Sequence, residues 1–331
     1  MRPAAPALAG DLLRPVDAEL APQVRRLFEE VFGHPLSAAE WQWKYGEGRG
    51  QALALERDGE LLAHFGGLSR RVVHEGREVL ACQVCDVAVA ARARNSLRRQ
   101  GPLHGLTSAF LNAQIGWERP HLLGFGFPTD RAFGVAERLG FYAEVDQMWA
   151  VAWPARALGF WDGLVCEPLD AAQLQDRATE IKCLWNAMRA ALPGCTLGVR
   201  NADWLRHRYL AHPRFQYEFC AVRRPWRSAL LGLAVWRRHA EHLEWVDLIA
   251  PPQAWPQLLR AGQAAAAAAG LARLEVWTTR SQLHRFMALQ PQAAQSRSLA
   301  IQVPANVHSP GPTLDSQRNR WFLMAGDTDF R

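Results

Sequence analysis

The sequence predicts an α/β (α+β) protein of two similar domains, each with a mixed, mostly antiparallel sheet flanked by helices. The chain has 331 residues, close to the length at which one hydrophobic core stops growing and chains divide into domains. Hydrophobic residues make up 49% of the chain and charged residues 21%, as in ordinary folded proteins. The same order of predicted helices and strands also recurs in the two halves.

The first half is predicted to run strand, two helices, three strands, helix, strand, helix, strand. Apolar residues at helical spacing predict a helix over residues 21–32, and Ser37 with Glu40 has capping-box spacing before a second helix. Alternating apolar residues joined through Gly59 and Gly76 predict an antiparallel meander. The predicted strands are residues 12–16, 52–57, 61–74, 78–90, 121–127 and 141–153, and the later helices are residues 106–115 and 131–139.

The second half repeats this order from residue 171. An alanine-rich helix that ends at Gly270 takes the place of the helix after the meander. A loop broken by Pro and Gly follows the penultimate strand. We therefore predict a boundary near 154–168, with domains at residues 1–155 and 156–331. The predicted helices are 171–191, 201–210, one over 264–269 and one from Ser281, and the predicted strands are 216–222, 229–238, 242–250, 272–278, 298–303 and 321–324.

The charge of the chain is positive but dispersed. A net charge of +6 and a pI near 9.3 are compatible with binding of a nucleic acid or of a phosphorylated cofactor. Basic residues never run longer than two, as in Arg70-Arg71 and Arg98-Arg99, a pattern typical of solvated faces. The pattern therefore argues against a nucleic-acid partner.

Cysteine usage and hydropathy predict a cytoplasmic protein without a membrane span. The six cysteines lack the spacing of a disulfide framework, which fits a reducing compartment. The N-terminal segment has no continuous apolar stretch of signal-peptide length, because Pro3, Pro6 and Gly10 interrupt it. No apolar run approaches the ~18 residues that a membrane helix needs.

The segment from Asp86 to Gly105 carries the strongest chemical signal. Asp86-Val87-Ala88-Val89 ends a predicted strand, and a basic, glycine-containing loop leads from it into a helix. Backbone N–H groups at a helix N-terminus, with arginines alongside, can bind a pyrophosphate. The alternative is a solvated connection between strand and helix. The candidate anion-binding residues are Arg94, Arg98, Arg99, Gln100, Gly101 and Pro102.

This strand, loop and helix resemble the acetyl-CoA motif of the GNAT (Gcn5-related N-acetyltransferase) superfamily. Arg98-Arg99-Gln100-Gly101-Pro102-Leu103 matches the first and fourth positions of the family loop Q/R-x-x-G-x-G/A but has leucine at the sixth. The loop from Val89 is also longer than usual.

Other segments extend the resemblance over nearly the whole chain. They follow the order seen in bacterial GNAT proteins with two fused domains. The segments are Trp41-Gln-Trp-Lys-Tyr45, Cys85-Asp-Val-Ala-Val89, Gly124-Phe-Gly-Phe-Pro128, Ala136-Glu-Arg-Leu-Gly-Phe-Tyr142, Trp204-Leu-Arg-His-Arg-Tyr209, Val303-Pro-Ala-Asn306 and residues 321–331.

The resemblance implies an N-acyltransferase that uses acetyl-CoA, or another acyl-CoA, and a small-molecule amine as acceptor. The backbone at Val87 and Val89 would pair with the pantetheine arm of the cofactor, and the loop would hold its pyrophosphate. Proteins of this kind are often associated with cell-surface polysaccharide synthesis, which makes an amino sugar a candidate acceptor. A protein that has kept the fold but lost turnover, and acts as a binding or sensor module, is the alternative.

Two residues are candidates for proton transfer. Asp86 is the carboxylate best placed to deprotonate an amine, although an aspartate at a strand end also commonly accepts loop N–H bonds. Many family members use a tyrosine to protonate the departing thiolate, but its place is taken by Ala136 here. Tyr142 is the nearest substitute, and packing at a strand edge is its alternative role.

The cysteines and the second half of the chain are further candidate sites for a metal, an acyl group or CoA. Cys82 and Cys85 have metal-ligand spacing, but residues three apart in a strand face opposite sides, which argues against a metal site. Cys85 could accept an acyl group or simply pack. The second half has Pro251 and Pro252 where the first has its basic loop, so we predict no CoA there. The tail at 327–329 could attract an amine or be exposed.

Overall fold

The computed structural model describes residues 11–96, 101–159 and 162–330, without the side chains of residues 94–96 and 102. Over these residues the chain forms two seven-stranded sheets, each mostly antiparallel and flanked by helices. The predicted fold class is confirmed.

The chain divides into two compact units that are not continuous in sequence. The first contains the chain up to Arg71, Val79–Val145 and Gln302–Gln317. The second contains Val72–Glu78, Asp146–Ile301 and the chain from Arg318. Each unit therefore takes segments from both halves of the sequence.

The first half of the chain supplies most of the first sheet. That sheet has the order β1-β2-β3-β4-β5, with β8 paired to β3 and β14 paired to β8. The elements are β1 (Asp11–Pro15), α1 (Ala21–Phe32), α2 (Ala38–Tyr45), β2 (Gly50–Arg57), β3 (Glu60–His74), β4 (Arg77–Val89), α3 (Pro102–Gln114), β5 (Leu123–Gly126), α4 (Asp130–Arg138) and β6 (Tyr142–Pro154).

The second half supplies the remaining strands. The second sheet has the order β13-β6-β12-β11-β10-β9-β7. The elements are β7 (Val165–Leu169), α5 (Ala171–Asp176), α6 (Ala178–Ala191), β8 (Thr196–Gly198), α7 (Ala202–Leu205), a π-helix (Arg206–Leu210), β9 (Glu218–Arg223), β10 (Leu230–Arg238), β11 (His242–Ile249), α8 (Trp255–Ala268), β12 (Arg273–Thr279), α9 (Leu283–Met287), β13 (Gln295–Asn306) and β14 (Trp321–Phe322).

Both sheets contain a strand, a helix and a second strand that runs parallel to the first. In the first sheet β4 leads through α3 to β5, and β4 and β5 pair in parallel. In the second sheet β11 leads through α8 to β12, and these strands also pair in parallel. One strand–helix–strand unit of the predicted recurring order is therefore found in each sheet.

Among the described residues, apolar clusters in the first unit include two that involve its helices α1 and α3. One cluster packs residues of α3, including Leu106 and Phe110, against Cys82 of β4. The other packs residues of α1, including Val24, against Ala88 and further residues of β2 and β3. Each cluster buries one apolar stripe of a helix against strand residues.

The main departures from the predicted elements lie at helix ends. The helix predicted at 106–115 begins at Pro102, because Gly101 is its N-cap and proline is tolerated at the first helical position. The helix predicted at 171–191 is divided at Arg177 into α5 and α6. The capping box predicted at Ser37 and Glu40 is confirmed, since both of its hydrogen bonds form.

Strand β13 extends into the segment that sequence assigned to a loop. The prediction ended the strand at residue 303 because Pro304 follows, but the strand continues to Asn306. Since β13 is the first strand in the order of its sheet, Pro304 lies on an edge strand, where a missing N–H is tolerated.

A buried charged cluster lies in the core of the second unit. The Arg200 guanidinium donates to Asp247 at 2.7 Å (Nε to Oδ1) and to Asp327 at 2.6 Å (Nη2 to Oδ2). Tyr209 Oη donates to the other oxygen of Asp247 at 2.6 Å. Burial disfavours the charge on Arg200, but the two carboxylates outweigh it and raise its pKa.

The C-terminal tail has a structural role in this unit. Asp327 and Thr328 are buried, and the Thr328 carbonyl accepts a hydrogen bond from Arg208 at 3.1 Å. For these two residues the alternative of an exposed terminus is wrong. Of the helices that the structure describes, none has the length and apolar character to cross a membrane.

We expect Arg200→Met to lower the free energy of unfolding by about 3–5 kcal/mol, because it leaves two buried carboxylates without their cation. Urea unfolding followed by tryptophan fluorescence measures this loss. Arg206→Met is the matched control: Arg206 pairs with Asp203 in the open, with side chains 60% and 74% exposed. We expect the control to change stability by under about 0.5 kcal/mol, and equal effects of the two substitutions would contradict the role given to Arg200.

Candidate functional site

The pairing between β4 and β5 ends before β4 does. Within the described residues the register joins residues 81–84 to residues 123–126, and β5 stops at Gly126. Strand β4 continues to Val89. Its last five residues therefore extend beyond the parallel pairing, which leaves strand backbone where the sequence analysis predicted a pantetheine arm.

The chain leads from this strand to the N-terminus of α3. Gly101 caps the helix in an extended conformation, and the N–H of Gly105 bonds to its carbonyl at 3.1 Å. The positive end of the helix dipole and the free N–H groups of its first turn lie at this end. The predicted residues Arg98, Arg99 and Gln100 lie outside the described residues, as do the side chains of Arg94 and Pro102.

Asp86 lies at the start of the extended part of β4 and is fully engaged. Its Oδ1 accepts from Lys44 Nζ at 2.8 Å, and its Oδ2 accepts from Tyr45 Oη at 2.7 Å. The Lys44 and Asp86 side chains are 8% and 4% exposed. Burial by itself would raise the pKa of Asp86, but Lys44 and the two hydrogen bonds outweigh it and lower that pKa.

The backbone of Asp86 is in the left-handed region, with φ of 52°. This conformation is uncommon for a residue other than glycine and costs on the order of 1–3 kcal/mol. It reverses which side of the strand the even-numbered residues face. Before Asp86, the even-numbered Cys82 packs in the cluster with α3. After Asp86, the even-numbered Ala88 and Ala90 pack in the cluster with α1. The residue thus acts as a bulge that redirects the end of β4.

Tyr45 lies in a slot that two glycines make possible. A Cβ atom added to Gly66 would be 2.2 Å from Tyr45 Oη, and one added to Gly50 would be 2.5 Å from the Tyr45 ring. Trp41 stacks on the same ring at a centroid distance of 4.2 Å. The hydroxyl is therefore fixed in position against Asp86.

His64 lies on β3 beside the same bulge. Its Nδ1 is 2.7 Å from the carbonyl oxygen of Asp86, and its side chain is 1% exposed. Among the described residues no group hydrogen-bonds its Nε2. Burial lowers the pKa of His64, which outweighs the opposing effects of the bond to the Asp86 carbonyl and of the Asp86 charge.

The two predicted catalytic residues, Asp86 and Tyr142, have different surroundings. Tyr142 packs against the α3 cluster, where burial and the nearby Cys82 raise its pKa. Its hydroxyl has no hydrogen-bond partner within the described part of the chain. Ala136, which takes the place of the family tyrosine, packs against the same cluster.

The other predicted residues of β4 lie around the bulge. Val87 is 37% exposed, and Val89 is half-buried against the α3 cluster. Cys85 Sγ is 3.5 Å from Tyr45 Oη, whereas Cys82 packs under α3, so the two cysteines face different surroundings, as the strand geometry predicted.

The second unit contains a related pair of residues. Tyr209 from the π-helix donates to Asp247 on β11, as Tyr45 from α2 donates to Asp86 on β4. A tryptophan precedes each tyrosine, and a Cβ added to Gly326 would lie 2.0 Å from Tyr209 Oη. The second aspartate is closed off by Arg200 and is fully buried.

Sequence reasoning missed three members of the first cluster: Lys44, Tyr45 and His64. A signal existed for two of them, because Lys44 and Tyr45 end the segment Trp41-Gln-Trp-Lys-Tyr45, in which Trp41 and Tyr45 share a helix face. His64 gave none, since it lies in an apolar strand and its partner is a backbone carbonyl.

We expect Lys44→Met to lower the free energy of unfolding by about 3–5 kcal/mol at neutral pH, since Asp86 would remain buried without its cation. In the wild type the pKa of Asp86 is lowered, so its contribution to stability is present above about pH 3.9 and is lost as pH falls. In the variant, burial would raise the pKa of Asp86, so the carboxyl would become neutral at a higher pH. The difference in free energy of unfolding between the variant and the wild type should therefore become smaller as pH falls. Urea unfolding at several pH values between 4 and 7 tests this expectation. Arg14→Met is the control, because Arg14 pairs with Glu56 at a partly exposed position. A deficit that does not change with pH would contradict it.

We expect Gly66→Ala to destabilise the protein by about 1–3 kcal/mol, because the new methyl group would displace the Tyr45 hydroxyl. Gly105→Ala is the matched control, since no atom lies within 4 Å of a Cβ there. Alanine favours a helix interior by about 1 kcal/mol, so the control should be neutral or stabilising. Thermal unfolding of both variants measures the difference, and equal melting temperatures would show that Tyr45 is not tightly held.

Residues 13–143 match the model of the acetyltransferase (GNAT) domain. This segment contains β4, the bulge at Asp86, α3, β5 and α4. No curated protein matches the sequence significantly.

Solved structures show the same fold at low sequence identity. A conserved Enterococcus faecalis V583 protein, described as a "Probable N-Acyltransferase", has a TM-score of 0.67 at 12% identity over 90% of this chain and 72% of its own. A GCN5-related N-acetyltransferase from Kribbella flavida has a TM-score of 0.61 at 16% identity, over 90% and 71%.

A third structure is Saccharomyces cerevisiae N-myristoyltransferase with bound myristoyl-CoA and inhibitors, with a TM-score of 0.57 at 9% identity over 97% of this chain and 88% of its own. The fold likeness extends over most of the chain, and the domain match lies in its first part. Residues 13–143 are thus similar to the GNAT acetyltransferase domain, and the fold of the chain is that of the solved structures above.

Proposed function

We propose that this protein is an acyl-CoA-dependent N-acyltransferase that transfers an acetyl group to the primary amine of a small molecule. The observation that carries the proposal is the end of the parallel β4–β5 pairing at Val84 and Gly126, while β4 continues toward the N-terminus of α3. A thioester cofactor needs such a place, where strand backbone is available for its amide groups and a helix N-terminus for its phosphates.

The match to the GNAT domain supports acyl transfer as the reaction class. The N-myristoyltransferase neighbour carries myristoyl-CoA, which supports an acyl-CoA thioester as the donor on this fold. Acetyl-CoA is the donor that the sequence resemblance favours. An amino sugar of cell-surface polysaccharide synthesis is the acceptor class that the same resemblance favours.

We assign the cofactor to named positions in the first unit. The backbone of Val87 and Val89 would pair with pantetheine, and Gly101 and Pro102 would place the start of α3 at the pyrophosphate. Arg94, Arg98, Arg99 and Gln100 would add positive charge and hydrogen-bond donors there. The first-turn N–H groups and arginine side chains are the donors that phosphate oxygens prefer.

The proposed reaction is a direct transfer within a complex of both substrates. A covalent acyl intermediate on Cys85 is disfavoured, because its thiol lies 3.6 Å from the Asp86 carboxylate and a thiolate there would be repelled. The Lys44 and Tyr45 contacts favour the structural role for Asp86, since a carboxylate with a lowered pKa is a weak base. Tyr142 as the acid for the thiolate stays a prediction.

We propose that only the first domain, predicted at residues 1–155, binds CoA. Residues 156–331 would form a degenerate GNAT-like domain. Two features support this: Pro251 and Pro252 precede α8 and lack N–H donors, and Asp247 is enclosed by Arg200. One acyl-CoA would then bind per chain.

Calorimetry with acetyl-CoA tests cofactor binding. We expect one site per chain, and about 100-fold or greater loss of affinity when Arg98 and Arg99 are both changed to Ala, because each charge-assisted phosphate contact contributes about 1.5–3 kcal/mol. Arg92→Ala is the matched control in the same segment, since Arg92 pairs with Glu30 and Glu60 instead. Absence of binding by the wild type, or undiminished binding by the double variant, would refute the cofactor assignment.

A binding or sensor protein without turnover is the second candidate function. Ala136 in place of the family tyrosine and the engaged carboxylate of Asp86 favour it. Release of CoA thiol from acetyl-CoA with a panel of amino sugars and other primary amines separates the two candidates. Release with any amine supports the transferase, and binding of acetyl-CoA without release supports the sensor.

A further inference from the structure

We propose that His64 is the proton acceptor of the reaction, and that its Nε2 takes the proton that the attacking amine loses. This inference rests on the proposed function and names a residue that sequence reasoning did not find. The two ring nitrogens of His64 differ in what they contact.

The hydrogen bond at Nδ1 fixes where the proton of the neutral ring resides. A carbonyl oxygen only accepts, so His64 Nδ1 must donate to the Asp86 carbonyl across their 2.7 Å contact. The neutral ring then carries its lone pair on Nε2. An imidazole in this tautomer is a base at Nε2 and at no other atom.

The lone pair has no structural use in the described part of the chain. Nε2 has no hydrogen-bond partner there although the side chain is 1% exposed. A buried polar atom without a partner costs about 1–3 kcal/mol, and such atoms are rare in folded proteins. His121 shows the ordinary alternative: its Nε2 contacts Ser69 at 2.8 Å and its Nδ1 contacts the Gln114 carbonyl at 3.1 Å.

The position of the base is set by the bulge. His64 bonds to the carbonyl of Asp86, the residue in the left-handed conformation, two positions beyond the last β4–β5 pair at Val84. The next residue, Val87, begins the backbone that we assign to pantetheine. His64 is therefore one hydrogen bond away from the strand segment proposed to hold the thioester.

The charged and titratable groups around His64 keep the ring neutral. Lys44 and Tyr45 approach from α2, and Asp86 with Cys85 lies on β4. Lys44 opposes a positive ring, Asp86 favours one, and burial lowers the pKa of His64 below its ordinary value. At neutral pH the lone pair is available, and the Asp86 carboxylate would offset part of the charge when the ring takes a proton.

The amine nitrogen forms a bond to the thioester carbonyl carbon, and the carbon–sulfur bond breaks to release CoA thiolate. The amine proton passes to Nε2, which gives an imidazolium. That proton then passes from the imidazolium to the thiolate, directly or through water, so the net products are an amide and CoA thiol, with no oxidant or reductant.

His64→Asn separates a base from a positioning residue. The asparagine side-chain N–H can replace the Nδ1 donor to the Asp86 carbonyl, but it offers no lone pair on nitrogen. We expect kcat to fall about 100-fold or more, with the affinity for acetyl-CoA unchanged by calorimetry. The wild-type kcat should rise with pH through the titration of His64, and this acid limb should be absent from the variant.

Two further variants serve as references. His64→Leu removes both functions and should lose at least as much activity. His74→Asn is the matched control, because His74 lies on the same strand, is buried, contacts Thr196 Oγ1 through Nδ1 at 2.8 Å and also has an Nε2 without a partner in the described structure. We expect its kcat and pH profile to equal those of the wild type.

The possible results discriminate between the proposals. Wild-type kcat in His64→Asn would overturn the inference, and if His64→Leu alone were inactive, His64 would be a positioning residue. Loss of acetyl-CoA affinity in His64→Asn would also overturn it, because the residue would then act on cofactor binding. A wild type that binds acetyl-CoA but releases no CoA with any amine would refute the transferase and this inference together, whereas turnover with an unaffected His64→Asn leaves the transferase standing.

Discussion

A carboxylate removed from water needs a cation and hydrogen-bond donors, and the first unit is organised around this requirement at Asp86. Lys44 and Tyr45 satisfy the carboxylate, which fixes the end of α2 against β4. The same residue has a positive φ, so the strand changes its facing pattern at this point. Lys44 and Tyr45 therefore stabilise a conformation that the backbone would otherwise avoid, and His64 is the third side chain to do so, by bonding the Asp86 carbonyl.

The second unit meets the same requirement differently. Its tyrosine and aspartate pair in the same way, but the cation is the guanidinium of Arg200, which also bonds Asp327 and the Gly198 carbonyl. A guanidinium with several fixed acceptors suits a permanent buried network better than an ammonium does. Both carboxylate oxygens of Asp247 thus accept hydrogen bonds from buried groups. Beside Asp86, in contrast, Nε2 of His64 has no hydrogen-bond partner in the described structure.

Local rules predicted much of this fold from the sequence. Apolar periodicity found α1, and the serine-to-glutamate spacing found the start of α2, because both depend on neighbours within one helix. The short strands β7 and β8 were missed, since strands of five and three residues carry little pattern and exist through their partners. The predicted end of β13 at residue 303 was wrong, because it took Pro304 as the end of the strand. The residues of a strand do not show whether it lies at the edge of a sheet, where proline is tolerated.

In the candidate site, too, the residues with a local sequence pattern were predicted and those brought in by the fold were not. Asp86, Val87 and Val89 were found because they end a strand before a basic loop, which is a local pattern. Lys44 and His64 reach Asp86 from 42 and 22 residues away, one from a helix and one from a neighbouring strand. Only the folded chain shows that the carboxylate is already satisfied.

The π-helix at Arg206–Leu210 accounts for a one-residue difference in spacing between the two halves of the chain. Trp41 and Tyr45 are four residues apart in α2, whereas Trp204 and Tyr209 are five apart, and the i→i+5 bond from Ala211 to Arg206 accommodates the added residue. If the halves are aligned at their tryptophans without a gap, Tyr45 falls opposite Arg208. An alignment with a one-residue gap between Trp41 and Tyr45 brings the two tyrosines into register, and comparisons of homologous sequences should place the corresponding insertion between Trp204 and Tyr209.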